Sequence, residues 1–181
     1  MEQLLLPEYA ISRFTVLTQA AVTIIYIHYK EQKMAIIKSA TAKYDGLGKD
    51  GKGHVSTESG ALKDQPYGFN TRFEGKAGTN PEEQIAAAHA SCFTMALSFG
   101  LAKLGFSKGS LASKVAITLV KEGDGFTISK SEIWLDAKVP GMSGEDFEKA
   151  AVEAKLTCPI SKLLTCDVTL DITSFEGSEL S

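Results

Sequence analysis

Three features of the sequence predict an α+β fold. One long apolar segment carries helix punctuation at both ends. Two alternating apolar runs are joined by a Gly-Asp-Gly turn. The strands come in blocks rather than alternating with helices.

Residues 1–33 stand apart from this plan. Phe14 to Tyr29 is apolar but is interrupted by Thr15, Thr18, Gln19 and Thr23, and it is short of the roughly 20 residues a membrane span needs. Its start lacks the basic region of a secretory signal. We read residues 1–33 as an N-terminal appendage, with a membrane anchor as the alternative. From Met34 the chain reads like the start of a domain, running over 34–176, with 177–181 as a C-terminal tail.

Ile36 to Tyr44 has strand composition, and Asp45 to Gly53 is rich in turn residues. His54 to Thr57 and Tyr67 to Phe73 are predicted as two more strands, and Glu74 to Gly78 as a flexible connector. Thr79 to Phe106 then reads as one helix. Asn80 suits its cap, Pro81 its first position, Glu83 completes an Asn-x-x-Glu box and Gly105 supplies the stop. Ile85, Ala88, His89, Cys92, Met95, Ala96 and Phe99 recur at helical spacing and predict the buried face. Ala86, Ala87, Ala88, Ala90 and Ser91 keep the helix slim ahead of Cys92.

Val115, Ile117 and Leu119 alternate before the turn at Glu122 to Gly125. Phe126, Ile128, Ile133, Leu135, Ala137 and Val139 continue the pattern beyond it, which predicts a hairpin with one buried face. Pro140-Gly141 ends the hairpin. Ser143 to Leu156 is a second helix with Ser143 as cap and Phe147, Ala150, Ala151 and Ala154 as its apolar stripe. Cys158-Pro159 opens a short helical turn reaching Leu164, and Val168, Leu170 and Ile172 form a last strand.

The chain has 181 residues, 44% of them hydrophobic and 23% charged, enough for one ordinary domain with a core. A net charge of −3, two arginines and no basic run argue against a nucleic-acid binder. Three cysteines without short metal-type spacing fit a reducing, cytoplasmic compartment, where paired thiols are more often redox-active than structural. On an apolar face, a lone Cys92 is by itself an ordinary small core residue. Cys158 changes that reading. Placed before Pro159 it caps a helical turn, a position that favours thiolate, although packing is an equal use for it. The two cysteines lie 66 positions apart. A permanent bond between them would contribute about 4 kcal/mol by chain entropy, but a reducing compartment favours a cycling pair. Cys166 shares strand parity with Val168, Leu170 and Ile172 and is read as core. His89, one turn before Cys92, is near enough to be weighed as a general base or as a polar interface residue.

Taken together, TNPEEQIAAAHASCF, STESGALKDQPYGFNTRFEG and TCPISKLL resemble the OsmC/Ohr family, the osmotically inducible and organic hydroperoxide resistance proteins. The PYGFNTRFEG and AHASCF segments are closer to the OsmC branch. The likeness spans about Met34 to Phe175. It implies central helices packed against β-sheets in an intertwined homodimer, working as a thiol-dependent peroxidase in oxidative or osmotic stress defence. It implies Cys92 as the thiol that attacks an organic hydroperoxide and Cys158 as the resolving thiol, through a sulfenic acid and a Cys92–Cys158 disulfide. Arg72 and Glu82 match the family's activating pair. The Ohr branch takes its arginine from an earlier loop, but here that loop, GLGKDGKG, holds only lysines. No metal or bound cofactor is implied, only an external dithiol reductant. The alternatives are a Cys-His thiol hydrolase and a non-catalytic dimeric binding protein. Glu82 and Cys92 lie ten positions apart, about 15 Å along one helix. A Glu82 that serves a thiolate therefore serves one on another chain, unless the helix is broken.

Overall fold

The computed structural model describes residues 35–177. The appendage expected over 1–33, the membrane anchor weighed as its alternative and all of the tail except Gly177 lie outside the described residues. Two three-stranded sheets and one long helix set the architecture.

The first sheet is antiparallel: β1 (Ala40–Asp45), β2 (Lys52–Thr57) and β3 (Gln65–Tyr67) in that order. Ile36 and Ile37 stay outside β1 and exposed. Every residue of β1 is exposed as well, so this sheet builds little core from its own chain. The predicted strand over Tyr67 to Phe73 is corrected: it stops at Tyr67, and Phe69–Phe73 is a helical turn, α1. The Thr71 hydroxyl explains the switch, because it accepts from the Gly68 N–H at 2.9 Å and closes the turn. Phe69 and Phe73, four apart, then meet as a tilted ring pair with centroids 4.9 Å apart. The connector after α1 is also fixed rather than loose. Gly78 has φ +144°, and a Cβ there would lie 2.6 Å from the Pro66 carbonyl oxygen. The next N–H, of Thr79, donates to that same carbonyl at 2.9 Å.

Helix α2 runs over Pro81–Lys103 with the expected ends. The Asn80 side chain accepts from the Glu83 N–H at 2.8 Å, while the Glu83 carboxylate takes the Thr79 hydroxyl. The face it buries differs from the predicted one. His89, Phe93, Leu97 and Leu101 are buried, Cys92 and Ala96 sit at the edge, and Met95 and Phe99 are 58% and 63% exposed. The helix is apolar nearly all round, so periodicity alone does not select a face. By length and composition it is long and apolar enough to cross a membrane, with 22% of its most apolar window buried within the chain. Its partners here are the second sheet and the two following helices.

That sheet holds β4 (Ser110–Glu122), β5 (Gly125–Val139) and β6 (Asp167–Gly177), with β5 in the centre. β4 and β5 form the predicted hairpin, and β6 pairs with β5 in parallel, Ile133 opposite Leu170. Ser131, Ile133, Leu135, Ala137 and Val139 alternate into the interior. Between β5 and β6, α3 (Gly144–Thr157) lays Phe147, Ala151 and Ala154 into the same core, its cap Ser143 accepting from the Asp146 N–H. Phe147 stacks on Phe175 at 4.3 Å between centroids. The five-residue α4 (Pro159–Leu163) follows at once and rests against α2.

Candidate active site

Cys158 is the hinge between α3 and α4. Its N–H closes α3 on the Ala154 carbonyl and its own carbonyl accepts from Lys162 N–H. Pro159 takes the first position of α4, where no amide donor is needed. The geometry points the Cys158 side chain inward, and the residue is fully buried.

Cys92, midway along α2, meets it. Both are free thiols packed in one core cluster, where the Cys158 side chain and the backbone of Ile160 on α4 both bear on the Cys92 sulfur. Two cysteines 66 positions apart in sequence are therefore neighbours in space. Burial pushes the Cys92 thiol above its ordinary value. The Ile160 N–H opposes that push and the Cys158 contact adds to it.

Arg72 and Glu82 also meet each other. Arg72 Nε donates to Glu82 Oε2 at 2.9 Å, and Nη2 donates to Oε1, a two-point charge-assisted pair. α1 supplies the arginine and the first turn of α2 the carboxylate. The guanidinium also lies over the Phe73 ring at 5.2 Å. The pair opens on a cleft of about 430 Å³ lined in part by Ile85, Leu119, Phe126 and Cys166. Neither Cys92 nor Cys158 borders that cleft. Since α2 is unbroken from Pro81 to Lys103, Glu82 and Cys92 stand about 15 Å apart along its axis. The chain thus builds two half-sites, a thiol pair and a guanidinium–carboxylate pair, without joining them.

Cys166 departs from its predicted place in the core. It sits half-buried in the bend before β6, because the chain leaving α4 straightens only at Asp167. His89 is not placed to activate Cys92. It is fully buried with Nδ1 2.8 Å from Ser131 Oγ and Nε2 2.8 Å from Ser161 Oγ. Both ring nitrogens are occupied, so a Cys-His hydrolase lacks its free base. The sequence reading missed Ser131 and Ser161; the inward parity of Ser131 with Ile133 and Leu135 was the one available signal. Among the described residues no group of three His, Cys, Asp or Glu side chains is arranged to hold a metal ion.

Beside the thiol pair, the outward side of α2 forms a shallow groove of about 630 Å³ with β4. Ala87, Met95, Phe99 and Leu111 line it, among others.

A family model described as OsmC-like protein matches residues 73–173. Peroxiredoxin OsmC of Escherichia coli (strain K12) is 49% identical over 138 residues, which cover 76% of this chain and 96% of that protein. Organic hydroperoxide resistance protein-like 1 of Staphylococcus saprophyticus is 34% identical over 66% of this chain and 84% of its own length. Among solved structures, an organic hydroperoxide resistance protein from Elizabethkingia anophelis matches with a TM-score of 0.57. Its identity is 24%, over 81% of this chain and 99% of that one. The organic hydroperoxide resistance protein OhrB of Bacillus subtilis matches with a TM-score of 0.54 at 24% identity, over 79% of this chain and 98% of that one.

Proposed function

This chain belongs to the OsmC-like protein family, and from that premise we propose that it is a thiol-dependent peroxidase that reduces organic hydroperoxides to alcohols. The observation that carries the reading is the contact between Cys92 and Cys158, both reduced, with the Ile160 N–H on the attacking sulfur. The Cys92 thiolate attacks the peroxide: an S–O bond forms, the O–O bond breaks, and the departing alkoxide takes a proton to become the alcohol. The sulfenic acid left on Cys92 condenses with Cys158 to a disulfide and water, which forestalls over-oxidation. An external dithiol restores both thiols by exchange.

Arg72 and Glu82 complete this reading when they come from a second chain. A guanidinium beside Cys92 favours thiolate and can donate to the leaving oxygen, and the carboxylate fixes its orientation. An intertwined homodimer is supported by the bare apolar side of α2, by the outlying first sheet and by the distance from Glu82 to its own Cys92. The apolar surroundings of Cys92 suit an organic hydroperoxide over a fully hydrated one. Its work belongs to stress defence in a reducing, cytoplasmic compartment.

The test is thiol titration before and after one equivalent of cumene hydroperoxide, with mass mapping of any disulfide. Loss of two thiols per chain and a Cys92–Cys158 crosslink are expected. An unchanged thiol count with the hydroperoxide intact overturns the proposal and leaves a non-catalytic binding protein.

A further inference from the structure

A line of three polar side chains crosses an otherwise apolar interior. Ser131 lies on β5, fully buried, at the start of the inward row that continues with Ile133 and Leu135. His89 lies on α2, also fully buried, and Ser161 lies on α4, the turn that carries Cys158. The imidazole touches both hydroxyls at 2.8 Å. Burial lowers the His89 pKa, which keeps the ring neutral. One ring nitrogen then donates to a serine and the other accepts from one. A hydroxyl serves in either sense, so the bridge is satisfied whichever nitrogen carries the proton.

The spacing of this bridge relates it to the thiols. His89 is one turn before Cys92 on α2, and Ser161 is one turn after Cys158 on α4. The His89–Ser161 hydrogen bond and the Cys92–Cys158 contact are therefore adjacent rungs between the same two helices. α4 has five residues, too few to hold its own conformation or register in water. The polar rung fixes which turn of α4 faces which turn of α2, and the Ser131 end anchors it to the central strand. An apolar contact at this point would tolerate sliding; a hydrogen bond of defined length does not.

We infer that His89 is a positioning residue of the resolving step: through Ser161 it holds α4 in register on α2, so that Cys158 reaches the Cys92 sulfenic acid before a second hydroperoxide does. The inference rests on the peroxidase reading above. In that step the Cys158 sulfur bonds to the Cys92 sulfur, the Cys92 S–O bond breaks, and the hydroxyl leaves with the Cys158 proton as water. His89 exchanges no proton with either sulfur, since both of its nitrogens are engaged.

The test measures how the sulfenic acid divides between disulfide and over-oxidised Cys92 as hydroperoxide concentration rises, by intact mass spectrometry of the full chain. This division does not depend on how fast the sulfenic acid forms. Ser161→Ala should lower the concentration at which the two products are equal by roughly two- to twelvefold, the factor carried by a hydrogen bond of ordinary strength. Ser161→Thr, which keeps the hydroxyl, should restore it, and His89→Gln should fall between. Should His89→Gln fail to fold, the Ser161 pair decides alone. A Ser161→Ala chain with a lowered melting temperature but an unmoved division point overturns the inference, because the bridge is then only a core anchor. A threonine variant that behaves like the alanine variant overturns it as well. If the unaltered chain forms neither sulfenic acid nor disulfide, the peroxidase reading itself fails and takes this inference with it.

Discussion

Pairing a Cys92→Ser chain with a Glu82→Gln chain tests whether each site draws on two chains. Alone, Cys92→Ser lacks the attacking thiol. Alone, Glu82→Gln loses the charge-assisted two-point contact to Arg72. Such contacts carry about 1.5–3 kcal/mol, a rate factor of about 10 to 150 if the whole is felt in the transition state. α2 is continuous through both positions, and ten residues of it span about 15 Å. Glutamate and arginine side chains do not bridge that distance, so Glu82 acts on a thiol of the other chain or on none. In the mixed dimer one site then combines the two lesions, while the other has an intact Cys92 facing an intact Glu82. About half the wild-type activity should return. The assay is hydroperoxide consumption with a dithiol, on heterodimers purified through two different tags and verified by native mass spectrometry. Activity no better than that of the two parents, with mixed dimers confirmed, would falsify the shared site.

Cys158→Ser should consume one equivalent of hydroperoxide and stall as the Cys92 sulfenic acid, or take a second equivalent and over-oxidise to the sulfinic acid; undiminished turnover with a dithiol sinks the resolving role. Cys166→Ala should leave turnover nearly intact even though this thiol borders the Arg72 cleft. A dead but normally folded variant would show that the third thiol takes part. Burial holds the Cys92 thiol up in the single chain, so its alkylation should follow an alkaline pH profile in dilute protein. Closing a partner's guanidinium on the thiol lowers that range. The profile should therefore move to lower pH as concentration rises, and Arg72→Gln should remove the movement; a profile indifferent to both counts against the arginine. Phe93→Ala, at a fully buried site between α2 and β5, should cost about 3–5 kcal/mol in urea unfolding. A loss within ordinary surface values would mean that α2 is not packed as described.

What the sequence disclosed was set by local chemistry. Asn80-Pro81, Ser143 with Asp146, and Gly123-Asp124 each act on their own few residues, and the elements they bound appear where expected. The two cysteine motifs were legible for the same reason, since each sits in a recognisable helical setting. Failures arose where local signals tie. Phe69 and Phe73 fit a strand or a turn of helix, and a hydrogen bond from the Gly68 N–H to the Thr71 hydroxyl decides between them. α2 is apolar on every side, so its choice of Phe93, Leu97 and Leu101 over Met95 and Phe99 depends on what packs against it. Ser131 and Ser161 lie 42 and 72 positions from His89, and no periodicity joins them. The contact between the thiols is of this non-local kind too; only resemblance anticipated it.

The order in which the chain leaves the ribosome gives the hinge at Cys158 a meaning in time. Cys92 precedes Cys158 by 66 positions. At roughly 5–20 residues per second, the first thiol waits about 3 to 13 seconds for the second. Through that interval it is an ordinary cysteine, mostly protonated at neutral pH, and a poor target for peroxide. The amide that stabilises its thiolate belongs to Ile160, two residues beyond Cys158 on the same short turn. The backbone group that offsets part of the burial penalty on Cys92 and the means of resolution are thus delivered together. The nearest groups of α4 that bear on Cys92 therefore reach it only together with the thiol that resolves it.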